Sequence, residues 1–150
     1  AMACLVVAAI AATAAWRLAP VPERPVTRFT VNLPPTQRFP PLDDSVLAIS
    51  PDGTRLAYVA IEGGVQTLYL RTMDDAKARP VPGTEGGTVP FFSPDSRWLG
   101  FFAGGKLKKI SVNGGAAVAL CDAPGNTIRA ATWSAEETIV FQYGGSNGFL

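Results

Sequence analysis

The feature that most restricts the fold is a short motif that recurs at nearly constant spacing. Leu47-Ala48-Ile49-Ser50-Pro51-Asp52-Gly53-Thr54-Arg55-Leu56-Ala57-Tyr58 reads as an apolar run, a turn and a second apolar run. Pro90-Phe91-Phe92-Ser93-Pro94-Asp95-Ser96-Arg97-Trp98-Leu99-Gly100-Phe101 repeats it, and Ala131-Thr132-Trp133-Ser134-Ala135-Glu136-Glu137-Thr138-Ile139-Val140-Phe141 repeats it again in altered form. The serines lie 43 and then 41 residues apart. A β unit returning every 40–45 residues or so has the period of a propeller blade.

The chain of 150 residues holds about two and a half such units, whereas a closed propeller needs at least about four blades. The fold class expected is therefore all-β: a β-propeller fragment of about two and a half four-stranded blades, preceded by an apolar N-terminal helix. Residues 26–150 alone are expected not to close into a monomeric ring, since missing blades leave strand edges and aromatic faces bare.

Residues 1–18 form the candidate membrane segment. Ala1 to Trp16 carries no charged side chain and contains eight alanines with Leu5, Val6, Val7 and Ile10. Sixteen helical residues reach about 24 Å, short of the roughly 20 residues that span a bilayer. A truncated transmembrane helix and a signal-peptide core ending near Ala12-Thr13-Ala14 both fit; a preceding basic stretch, which the second requires, is not in view. Residues 19–25, with Pro20, Pro22 and Pro25, read as an extended linker. Val26 to Leu33 alternates as a strand, with Phe29, Val31 and Leu33 on one face, and belongs to no repeat. It is expected either to close the ring or to edge the first blade.

The repeats begin near residues 45, 88 and 128. Each of the first two carries four short apolar runs separated by Gly63-Gly64 or Gly104-Gly105 and by polar turns. Ala78 to Pro82, with two prolines, suits an outermost strand, where a missing N–H costs little. In the turn, Pro51 presets φ, Asp52 suits the next position and Gly53 the left-handed one after it. Ser50, Pro51, Asp52, Gly53, Ser93, Pro94 and Asp95 are thus structural turn residues, and their recurrence in each unit argues against a catalytic or calcium-binding role. Ser96 in place of Gly53, and the one-residue-shorter third turn, are expected to adopt different turns. Gly53→Val is accordingly expected to cost more than Ser96→Val.

The motif resembles TolB-type propeller repeats, in which Ser-Pro-Asp-Gly stands between an aromatic strand and a strand of pattern Arg/Lys-x-Leu/Ile-x-Phe/Tyr. Ile49 to Gly53 with Leu56-Ala57-Tyr58, and Phe92 to Asp95 with Trp98-Leu99-Gly100-Phe101, match it. The order of apolar helix, proline linker, Arg28-Phe29-Thr30-Val31-Asn32-Leu33-Pro34 and repeats resembles the extracytoplasmic half of membrane-anchored bacterial serine/threonine protein kinases. That resemblance implies a cytoplasmic kinase domain before the helix and a propeller outside the membrane that binds a ligand or a protein. No kinase motif stands in these residues. Arg17, Arg24 and Arg28 follow the helix, so external placement requires more basic charge before it. The rivals are the N-terminal propeller of a prolyl-oligopeptidase-class serine peptidase and a periplasmic scaffold with no enzyme attached.

The remaining candidates have plain readings. The absence of histidine and a net charge of +1 remove the commonest general base and any field that would gather nucleic acid. No cofactor or metal is expected. Lys106, Lys108 and Lys109 read as a solvated strand face, while Phe91, Phe92, Trp98, Phe101, Phe102 and Trp133 read as packing between blades. Cys4 and Cys121 form no metal or redox spacing, and Cys121 is read as a small buried hydrophobe.

Overall fold

The computed structural model describes residues 30, 32–41, 45–75, 77–124 and 128–143. The chain divides into two units, Ala1–Asn32 and Leu33–Leu150. Of the first, only Thr30 and Asn32 are described, both outside any strand. The apolar helix, the proline linker and most of the Val26 to Leu33 strand lie outside the described residues. No helix among the described residues is long and apolar enough to cross a membrane.

The second unit holds three antiparallel sheets. The first contains β1 (Gln37–Arg38), β2 (Leu47–Ile49), β3 (Arg55–Glu62), β4 (Val65–Thr72) and β5 (Arg79–Pro80). The second runs β6 (Thr88–Phe92), β7 (Trp98–Ala103), β8 (Lys106–Ser111) and β9 (Val118–Asp122). Two strands of the third are described, β10 (Ile128–Trp133) and β11 (Ile139–Tyr143). The first strand of each repeat packs beside that of the next, β2 against β6 and β6 against β10. Consecutive sheets stacked face to face with adjoining first strands are the blades of a propeller.

Burial follows from strand alternation. On β7, Leu99, Phe101 and Ala103 face the first sheet, where they meet Ala57, Val59, Leu68 and Val81, joined by Phe92 and Ile110. Phe102 faces the other way, into a layer with Val89, Phe91, Leu107, Ile128 and Trp133. Both faces of the second sheet are therefore core, which is why its central strand reads as an unbroken apolar run. Each large side chain so buried contributes roughly 1.5–3 kcal/mol.

Two features escape the periodicity. Gly100 lies under the Phe91 ring, and a Cβ there would come within 2.3 Å of it. On β6 the register slips by one residue between Thr88 and Phe91. Val89 sits at that bulge with φ of 49°, a conformation that strains a β-branched residue. Pro90 follows it, where the interrupted ladder has no need of an N–H.

The structure adds one strand that the repeats did not show and corrects three local expectations. Gln37–Arg38 pairs with Glu62 and Ile61, so the inner edge of β3 is shared between β1 and β2. Cys121 is exposed, because β9 is the outer edge of its blade and all five of its residues face solvent. Ser96 has φ of 60° and holds the same left-handed conformation as Gly53 at 71°. Glu137, also at 60°, occupies the corresponding position of the third turn, which keeps the motif's nose and shortens only its return: Ser134 N–H bonds Thr138 O, whereas Ser50 N–H reaches Arg55 O and Ser93 N–H reaches Trp98 O.

Gly100→Ala is expected to displace Phe91 and to lower unfolding stability by about 1–3 kcal/mol, measured as a reduced denaturant midpoint at unchanged slope. Gly53 has open space around it, so Gly53→Val suffers backbone strain alone. Ser96→Val adds crowding at a buried site and loses a hydrogen bond. Comparable losses of about 1–3 kcal/mol are expected for both, in place of the larger Gly53 effect that the sequence suggested.

Candidate interaction site

In each Ser-Pro-Asp turn one hydroxyl does two jobs. Ser50 Oγ donates to Asp52 Oδ1 at 2.6 Å and accepts from Arg55 N–H at 2.9 Å. Ser93 Oγ donates to Asp95 Oδ1 at 2.6 Å and accepts from Trp98 N–H at 2.9 Å. Pro51 and Pro94 carry the chain between the serine and the aspartate. Asp52 Oδ1 also accepts from Thr54 N–H and Thr54 Oγ1. Asp95 accepts from Arg97 N–H and from Arg97 Nε at 2.7 Å. These donors, the serine hydroxyl foremost, hold both carboxyls down at about 2. In the third turn Ser134 acts in the same way on Glu136, whose carboxyl is also lowered.

The first two turns are joined. Asp52 N–H donates to Ser96 Oγ at 3.1 Å, and Arg55 Nη1 reaches Ser96 O at 3.5 Å. The left-handed serine therefore contributes what a glycine could not, an acceptor across the blade boundary. Spacing alone gave no sign of this link, since it joins residues 44 apart.

The aromatic candidates divide between the two layers. Phe92 and Phe101 lie in the first and Phe91, Phe102 and Trp133 in the second, with Trp98 packed at its margin. The lysine run does not form one solvated face. Strand alternation puts Lys109 on the side of Leu107, where its ammonium stands 4.7 Å from the Trp98 ring centre and 5.7 Å from that of Trp133. Lys106 pairs with Asp122. Trp133 Nε1 is buried without a hydrogen-bond partner.

A polar clasp on β1 and β3 was not foreseen. Glu62 accepts from Thr36 Oγ1, from Gln37 Nε2 at 3.3 Å and from Tyr69 OH at 2.7 Å. Tyr58 OH donates to Gln37 Oε1 at 3.2 Å, and the Tyr58 and Tyr69 rings stack at 5.5 Å. The donors pull the Glu62 carboxyl down, while burial and then the Glu62 contact raise Tyr69 to about 12. All of these polar groups are engaged with one another, so the clasp fastens β1 rather than presenting a reactive group.

At the end of the blades opposite the Ser-Pro-Asp turns, a cavity of about 190 Å³ opens beside the first strands. Pro40, Pro41, Val46, Val59 and the bulged Val89 supply its apolar lining, and Gln66 is among its polar residues. That volume is below the roughly 300–1,000 Å³ of small-molecule sites. Among the described residues no group of three His, Cys, Asp or Glu side chains converges to hold a metal.

The fold is similar to several solved propellers. A protein assigned as TolB from Agrobacterium tumefaciens matches with a TM-score of 0.54 and 25% identity, over 63% of this chain and 36% of its own. TolB from Acinetobacter baumannii matches with 0.51 and 19%, over 70% and 28%. The β-propeller domain of the Trilobed protease from Pyrococcus furiosus matches with 0.51 and 16%, over 65% and 33%. The described residues are part of a β-propeller. This chain spans about a third of the length of those structures. No protein-family model and no curated protein matches the sequence.

Both turn carboxyls are lower in the folded chain than their ordinary value of 3.8. Their contribution to stability is therefore complete above that pH and is lost as pH falls toward about 2. The melting temperature is expected to hold above about pH 5 and then to fall with acid. The variant carrying Asp52→Asn and Asp95→Asn should melt lower at neutral pH and show a shallower acid decline. An identical acid decline in the variant would remove the turns as its source.

Proposed function

We propose that this propeller is a non-catalytic interaction module that binds a ligand or protein outside the cytoplasm. We place it in a membrane-anchored bacterial serine/threonine kinase, whose catalytic domain precedes the apolar segment. The observation that carries the binding role is the cavity at the inner rim between the first two blades, an apolar recess with no reactive group among its described residues. The likeness to TolB propellers supports the propeller part of the reading. The kinase part rests on the order of apolar segment, proline linker and repeats. Ligand binding there would bias the arrangement of the attached domains by its differential affinity for two arrangements.

A specific observation favours a second reading. The propeller of the Trilobed protease and an acylaminoacyl peptidase of Pyrococcus horikoshii are also similar to this chain. In that reading the propeller precedes a Gly-x-Ser-x-Gly hydrolase domain and meters access to it.

The full-length protein separates the two. It is expected to transfer the γ-phosphate of ATP to serine or threonine, and its gene to encode His-Arg-Asp and Asp-Phe-Gly before Ala1. Hydrolysis of an N-acyl amino-acid p-nitroanilide without phosphoryl transfer would replace the kinase reading with the peptidase one. Loss of neither activity on Gln66→Trp, which enlarges a lining residue of the cavity, would remove the cavity from the mechanism.

A further inference from the structure

A second recess lies at the opposite end of the blades and belongs to neither reading above. On β3 and β4, Arg55, Leu70 and Thr72 share the face turned toward the second sheet, with Leu70 opposite Ala57 and Thr72 opposite Arg55. Arg79 is the cross-strand neighbour of Leu70 and extends that face. Near the middle of the strands this face is filled by Phe101 and Leu99. Toward the turns Arg55 reaches Ser96 O, and the rest of the face looks across to Val112, Asn113 and Gly114 of the β8–β9 turn. The result is a groove of about 380 Å³ between the first and second blades.

Its chemistry is lopsided. Leu70, Val81 and Val112 form an apolar floor, and Arg55, Lys77 and Arg79 stand around it. Arg55 is engaged with Asp52 at 3.7 Å and with Ser96 O. Lys77 and Arg79 have no carboxylate partner among the described residues. The one acidic residue of the lining, Asp75, is turned to its own loop: its carboxylate accepts from Lys77 N–H and its carbonyl from Arg71 Nε. Two free cations above an apolar floor, in a volume within the range of small-ligand sites, call for a partner with a carboxylate and an apolar side chain close together.

We propose that this inter-blade groove binds an acidic peptide, with a carboxylate between Lys77 and Arg79 and an apolar side chain on the Leu70, Val81 and Val112 floor. An inorganic anion would leave the floor uncovered. A flat lipid surface would not enter the recess, and two or three cations fall below the basic clusters that hold anionic membranes. The inference stands whether the propeller serves a kinase, a peptidase or neither.

The probe is a fluorescein-labelled Ala-Leu-Glu-Leu peptide with a free C-terminal carboxylate, titrated by anisotropy against the full-length protein. Saturable binding is expected to weaken about tenfold, or 1.4 kcal/mol, when Lys77→Glu and Arg79→Glu are combined. It should also weaken with rising salt and for the amidated Gln peptide. Arg38→Glu, the same kind of charge reversal at an exposed position of β1 outside the groove lining, should leave it unchanged. Asn113→Trp, which obstructs the groove from the second blade without altering charge, should weaken it as well and serves if the double variant does not fold. Equal binding of the charged and neutral peptides, or insensitivity to both the double variant and Asn113→Trp, would overturn the proposal. So would full competition by inorganic phosphate at the peptide's concentration, or binding of phosphatidylglycerol vesicles with none of the peptide.

Discussion

The structure depends on burying both faces of the second sheet. A sheet apolar on two sides is stable only if it is covered on two sides, and β7 shows the consequence most plainly. Leu99 and Phe101 require the first blade, and Phe102 requires the third. Gly100 is small because Phe91 must lie flat over it. The bulge at Val89 and Pro90 shifts the register of β6 on β7 by one residue, so that Phe91 pairs with Gly100, while plain alternation sends Phe91 and Phe92 into opposite layers. A strained valine is tolerated there because packing on the same side holds it, its side chain being almost wholly buried.

The Ser-Pro-Asp turns solve a different problem, how to reverse the chain at the same point in each blade. A serine hydroxyl has one proton to give and lone pairs to accept with. Giving to the aspartate and accepting from the N–H five residues on closes the turn without water. The aspartates are saturated by this arrangement, so the most conspicuous polar residues of the motif are spent on architecture. The recesses lie where the repeats are not alike: the inner cavity formed with Pro40 and Pro41, and the outer groove formed with Lys77 and Arg79.

The two recesses also differ in kind. The inner one is mostly apolar and rests on the first strands, which meet each other around the axis of a propeller. The outer one lies where neighbouring sheets diverge and side chains too polar for the core take over the same faces. Conversely, the cation–π contacts of Lys109 with Trp98 and Trp133 and the polar clasp of Glu62 are internal fastenings, each satisfied by the fold itself.

The sequence by itself determined the period, the all-β class, the turn residues and the assignment of the aromatics to packing. Each of these is local or repetitive, written in spacings of two residues within a strand and about forty between blades. It marked the proline-bearing strand of the first blade as outermost but not its counterpart β9, and so it misplaced Cys121, whose apolar neighbours Val118 and Leu120 look like core until the strand is seen to pair on one side only. It could not show that Ser96 shares the handedness of Gly53, because what rewards a left-handed serine is the Asp52 N–H of another blade. It did not separate Lys109 from Lys106, whose surroundings differ only once β8 has a neighbour on one face. The Thr36, Gln37, Tyr58, Glu62 and Tyr69 clasp, the Gly100 contact and both recesses join residues far apart in the chain. Only tertiary structure decides such contacts, since strand pairing and sheet stacking, rather than local preference, bring those atoms within reach.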